Sequence, residues 1–64
     1  MSFYVESQSI RADGSLTEHR FWCAPSGKRL TFDTWREAAD HAESVDRDLD
    51  RWLSGQIRIK ELGQ

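Results

Sequence analysis

Sixty-four residues, a net charge of −2, 31% charged residues and seven aromatics describe one folded domain spanning 1–64; a disordered chain would carry few aromatics. The single cysteine excludes an internal disulfide, and Cys23 with His19 and His41 falls short of the four clustered ligands of a structural zinc site. No apolar run approaches the roughly 18 residues of a membrane span, and "MSFYVES" lacks the basic start and apolar core of a signal peptide, so the expectation is a cytoplasmic protein without membrane contact or cofactor.

Two runs, "FYVESQSIRA" and "SLTEHRFWCA", flank Asp13-Gly14. An Asp-Gly pair between aromatic and β-branched residues signals a hairpin. A two-residue turn there pairs Tyr4 with Cys23 and Val5 with Trp22. "PSGK" (Pro25 to Lys28) marks a second turn leading into "RLTF", so the first half reads as a three-stranded antiparallel meander. One sheet face then carries Tyr4, Ile10, Phe21 and Cys23, and the other Phe3, Val5, Leu16, Trp22 and Ala24. A single helix covers only one of them, so the uncovered face is expected to expose aromatic surface.

Helix entry is marked by Thr34 and Glu37, which form the S/T-x-x-E capping box. Trp35, Ala38, Ala39, Ala42, Val45, Leu49, Trp52 and Leu53 recur at three- and four-residue intervals, the spacing of one long amphipathic helix facing a core. Gly55 suits a left-handed C-terminal cap. The alternation in "QIRIKEL" then predicts a half-buried strand. The order is β-β-β-α-β, an α+β fold with one long helix across a small sheet. The last strand is expected at an edge, parallel to strand three through a right-handed crossover.

The chemistry-bearing residues do not assemble into a catalytic pattern. His19 and Cys23 lie four apart on a strand, about 13 Å, too far to share a metal ion or a proton. Glu37 and His41 make a helical i,i+4 pair with no nucleophile nearby in sequence. Acid pairs such as Glu43 with Asp46 come without a Gly-rich loop, so the expectation is a non-enzyme.

Charge is unevenly spread. Residues 1–34 carry four basic and four acidic groups, 35–53 three against six, and 54–64 two against one. On the predicted helix Glu43, Asp46 and Asp50 line one edge. Glu43 with Arg47, and Asp48 with Arg51, read as ordinary helical ion pairs. Asp46 falls inside the apolar arc. Either it meets a basic side chain from the sheet, with Arg58 and Lys60 as candidates, or the helix breaks or overhangs there. The basic residues Arg20, Lys28 and Arg29 surround the second turn near Trp22, a combination that can stack on bases or hold phosphates.

The run "LTFDTWREAADHAES…SGQIRIKEL" resembles a pattern in small bacterial and phage-encoded β-β-α-β proteins. There a strand leads into a Thr or Ser cap, then x-x-E-A-x-x-x-A, a Gly and a short alternating strand. In length and order the chain is similar to the phage T7 inhibitor of host RNA polymerase, although the first hairpin departs from it. The resemblance covers the second half and implies a protein that docks on a large host enzyme by charge complementarity, with no functional residue carried over.

The leading expectation is a protein-interaction module that modulates a larger host complex. Its contacts would be Glu43, Asp46 and Asp50 together with an aromatic patch of Trp22 and Arg20. A nucleic-acid-binding domain using Arg20, Lys28, Arg29 and Trp22, or a structural homodimer, are the other readings.

Overall fold

Strand β1 (Ser2–Ser7) lies at the centre of a three-stranded sheet of order β2-β1-β3, in a computed structural model that describes residues 2–63. The strand β2 (Arg20–Phe21) is short, and β3 (Ile57–Leu62) runs antiparallel to β1 from Ser2↔Leu62 to Ser7↔Ile57. This register sets Phe3, Val5, Ile57 and Ile59 on one face, as side-chain alternation along paired strands requires.

The pairing of β1 with β2, Glu6↔Phe21 and Ser7↔Arg20, follows the register expected from the sequence, and the Trp22 N–H bonds the Val5 carbonyl at 2.9 Å. The turn that delivers it is different. Ala12, Asp13 and Gly14 form a three-residue loop closed by Gly14 N–H to Arg11 O at 2.9 Å and Arg11 N–H to Ser15 O at 2.7 Å. Gly14 has φ 89°, the left-handed position such loops demand. This loop shifts the pairing by one residue, to Ile10↔Leu16, with Thr17 N–H on Ser9 O. Between Ser9 and Ser7 lies only Gln8, whereas Glu18 and His19 separate Thr17 from Arg20. That extra residue is a β-bulge, and it restores the register.

Asp13 closes the loop by accepting the Ser15 hydroxyl at 2.6 Å and the Ser15 N–H at 2.9 Å. These bonds, the hydroxyl's first, hold its carboxyl below the usual carboxylate range. A depressed folded value contributes stability above the unfolded value, and that contribution is lost as pH falls through the folded one. Ser15 amide exchange should therefore accelerate, relative to its intrinsic rate, as pH drops below about 4, while the amides of β1 and β3 keep their protection. A flat Ser15 protection profile would refute the assignment.

"RLTF" is not the third strand of a meander. A second three-residue loop, Pro25-Ser26-Gly27, gives Cys23↔Arg29 and Leu30 N–H on Trp22 O at 2.9 Å, after which Phe32 turns to bridge Phe3. Segments from β2 and Phe32 share one edge of β1, which leaves the opposite edge for the last strand. β3 is thus an edge strand as expected, but it pairs antiparallel with β1 rather than running parallel beside a third strand.

The expected long helix is two. Helix α1 (Trp35–Val45) starts at Thr34, whose Oγ1 accepts the Glu37 N–H at 3.1 Å. Helix α2 (Leu49–Leu53) follows a break at 46–48. The break has a local cause in the spacing Asp46-x-Asp48-x-Asp50. Asp46 Oδ1 accepts the Asp48 N–H and Asp48 Oδ1 accepts the Asp50 N–H, both at 3.0 Å. Side chains of this type compete with helical backbone bonds and re-cap the chain. Helix α2 ends where expected: Gly55 has φ 83°, and Gln56 N–H to Arg51 O and Gly55 N–H to Trp52 O complete a Schellman motif.

The core lies between α1 and the sheet. Val5, Ala38, Ala42 and Ile57 are buried, with Phe3, Trp22, Phe32, Trp52 and Ile59 packed around them. Two alanines on α1 let the helix backbone approach the sheet closely. Among the described residues no helix is long and apolar enough to cross a membrane.

Candidate interaction groove between the helices

The break sets α2 on β3 and apart from α1, and side chains from both helices line an open groove of about 650 Å³. Trp35, Ala39 and Leu49 with Trp52 give it apolar walls, while Asp40, Glu43, Ser44 and Arg47 supply the polar lining. Trp35, Ala39 and Glu43 are spaced by four, so they stand along one side of α1. The apolar stripe expected to face the core is divided here. Ala38 and Ala42 are buried, but Trp35 is 55% exposed, Leu49 65% and Leu53 77%. On this stripe the buried positions are alanines while the outward ones are Trp35, Leu49 and Leu53, an arrangement typical of a contact surface.

Two acids and one base line the polar side. Asp40 pairs with Arg36 at 3.8 Å across open solvent, which contributes little. With α1 ending at Val45, Arg47 lies beyond the helix, and among the described residues no ion pair joins it to Glu43. Glu43 and Asp40 are exposed, so their carboxylates are open to a partner's cations.

The acidic edge Glu43, Asp46 and Asp50 does not survive as a unit, because it required a continuous helix. Glu43 lines the groove; Asp50 sits in the first turn of α2 and donates its N–H to Asp48. Asp46 turns inward onto Arg51, with the two side chains only 19% and 29% exposed. Arg51 also donates to the Gln8 carbonyl at 2.6 Å, and Trp52 Nε1 to the Asp46 carbonyl at 3.4 Å. Asp46 is therefore a corner residue of the fold. Its cation comes from α2, not from the sheet: Arg58 pairs with Glu6 at 2.7 Å.

The aromatic patch also moves. Trp22 lies on the helix-covered face, half-buried, its ring 6.0 Å from that of His41 and its Nε1 donating to Ser7 Oγ at 2.8 Å. His41 stands between Trp22 and Phe32 rather than beside a catalytic partner. Arg20 is exposed at the β2 edge and Lys28 just after the second loop. Arg29 lies over the rings of Tyr4 and Phe21, 4.6 Å from each centroid. His19 is tied by Nε2 to the Gly55 carbonyl at 2.8 Å, and Cys23 is exposed.

Sequence reasoning missed Trp35 and Leu49 as surface residues. The signal was the Asp-x-Asp-x-Asp spacing, which breaks the helix and frees part of its stripe. Comparison with family models, with curated proteins and with solved structures returned no match.

Proposed function

We infer that the protein is a non-enzymatic interaction module whose groove between α1 and α2 holds a cationic segment of a larger protein. The observation that carries this reading is the outward-facing Trp35 and Leu49 beside Asp40 and Glu43 in one groove. A bulky apolar side chain of the partner would enter between Trp35 and Trp52, and lysine or arginine side chains flanking it would reach the two carboxylates. Trp at the centre of a contact carries much of its energy, whereas rim charges set association rate and selectivity. A small-molecule site would enclose most of its ligand, and walls as open as these do not. The resemblance to small phage-encoded regulators supports a host enzyme as the larger partner.

The test is affinity capture with quantitative mass spectrometry, comparing wild type with Trp35→Ala and Glu43→Arg. Trp35→Ala should reduce capture of a specific partner at least tenfold, the loss of about 1.4 kcal/mol or more expected for a contact hot spot, while thermal unfolding stays close to wild type. Glu43→Arg should weaken capture most at low salt. Equal capture by all three proteins would overturn the reading. Sedimentation distinguishes the homodimer: a wild-type dimer that Trp35→Ala converts to monomer would make a second copy the occupant.

A further inference from the structure

The sheet face turned away from α1 has its own chemistry. The β1–β3 register places Tyr4 opposite Lys60 and Glu6 opposite Arg58, and β2 adds Phe21 beside Glu6. Arg29 spans this face, with its guanidinium carbon 4.6 Å from the centroids of both the Tyr4 and Phe21 rings. The Cys23↔Arg29 bridge of the second hairpin anchors its backbone there. Arg29 and Lys60 are exposed, and Phe21 is 42% exposed.

This face carries three cations, Arg29, Arg58 and Lys60, against the one carboxylate of Glu6, which is engaged with Arg58. The acids of residues 35–53 belong to the two helices and the break between them, on the other side of the sheet. An acidic chain has therefore kept a basic, aromatic strip apart from its negative half.

We propose that this strip binds single-stranded nucleic acid, one base stacking on the Arg29–Phe21 surface while Lys60 and Arg58 meet neighbouring phosphates. Arg29 and Phe21 are both accessible to solvent where they meet, and Arg and aromatic planes serve as stacking platforms for unpaired bases. The charge on the strip complements a polyphosphate backbone. A duplex fits poorly, because its bases are already stacked on one another and none is free to lie on the strip. This site is separate from the groove between the helices and stands or falls independently of it.

Fluorescence anisotropy with labelled oligothymidylate and oligouridylate of about 12 nucleotides tests it. Both should bind at low salt, with log K falling against log salt at a slope of roughly −1.4 to −2, the value for two to three phosphates on a single strand. The ratio of the two affinities tells DNA from RNA as the preferred strand. Arg29→Lys keeps the charge but removes the plane, and Phe21→Leu keeps apolar bulk but removes the ring. Each should weaken binding at least fivefold, the low end of the loss of one stacked base. Lys60→Ala should flatten the salt slope by about 0.7. Trp35→Ala, on the opposite side, should leave binding unchanged. No anisotropy change at low salt would overturn the proposal. So would equal binding by Arg29→Lys and Phe21→Leu, or displacement by polyglutamate as readily as by unlabelled strand.

Discussion

Replacing Ile57 with alanine is expected to unfold a large share of the molecules at room temperature. Ile57 is 2% exposed and, with Val5, is one of the two largest fully buried side chains among the described residues. The other two buried core residues, Ala38 and Ala42, have little side chain to relax into a void. Truncating a buried isoleucine to alanine costs about 2–5 kcal/mol through lost burial and the cavity left behind. A domain this small rarely holds more than about 3–5 kcal/mol in total, so the loss rivals the whole. Urea titration followed by far-UV circular dichroism should find the Ile57→Ala midpoint near zero denaturant. Ile57→Val should cost only about 1 kcal/mol. A midpoint for Ile57→Ala equal to that of wild type would contradict this account of the core.

Arg51→Ala should produce the next largest loss, about 2 kcal/mol, with a different signature. Arg51 closes the corner between the helices by joining the Asp46 carboxylate to the Gln8 carbonyl. Removing it leaves a half-buried carboxylate and a backbone acceptor without their cation. Breaking a buried pair by deleting one partner costs about 3–5 kcal/mol, and the partial exposure of these side chains lowers that figure. The effect should centre on α2 and Trp52, because Trp52 Nε1 leans on the Asp46 carbonyl. Hydrogen exchange in 49–53 should rise well before β1 and β3 loosen, with a red shift in tryptophan emission. Asp46→Asn should fall between, since it keeps an acceptor for the Asp48 N–H but loses the charge. Uniform destabilisation of sheet and helix alike would mean that the corner is not a local lock.

How much of this was legible in the sequence depends on the range of the interactions involved. The Thr34 cap and the Gly55 cap were readable because each acts within a few residues. The Val5–Trp22 pairing was readable too, but for a reason the sequence hid: a one-residue shift at the Asp13-Gly14 loop is cancelled by the bulge at Glu18 and His19. The helix break was harder. The apolar spacing from Trp35 to Leu53 continues smoothly through it, and only the competition of three alternate aspartates for backbone N–H groups stops the helix. Asp46 gave the warning, as an acid inside an apolar arc. Which sheet face is covered turned on Ala38 and Ala42, whose small size brings α1 onto Val5 and Ile57. The meeting of Arg29 with Tyr4 and Phe21 was not readable, because it depends on how a three-residue loop aims a side chain across another strand.

The cancellation between loop and bulge has a consequence for how this chain can change over time. The outer part of the first hairpin, from Ser9 to Thr17, keeps its own pairing frame, and the bulge uncouples that frame from the one at Glu6 and Phe21. Residues gained or lost in pairs at the tip alter the arm alone, without turning Trp22 away from α1 or Phe21 away from Arg29. The arm is a segment in which length and sequence can drift while both faces of the sheet stay in place.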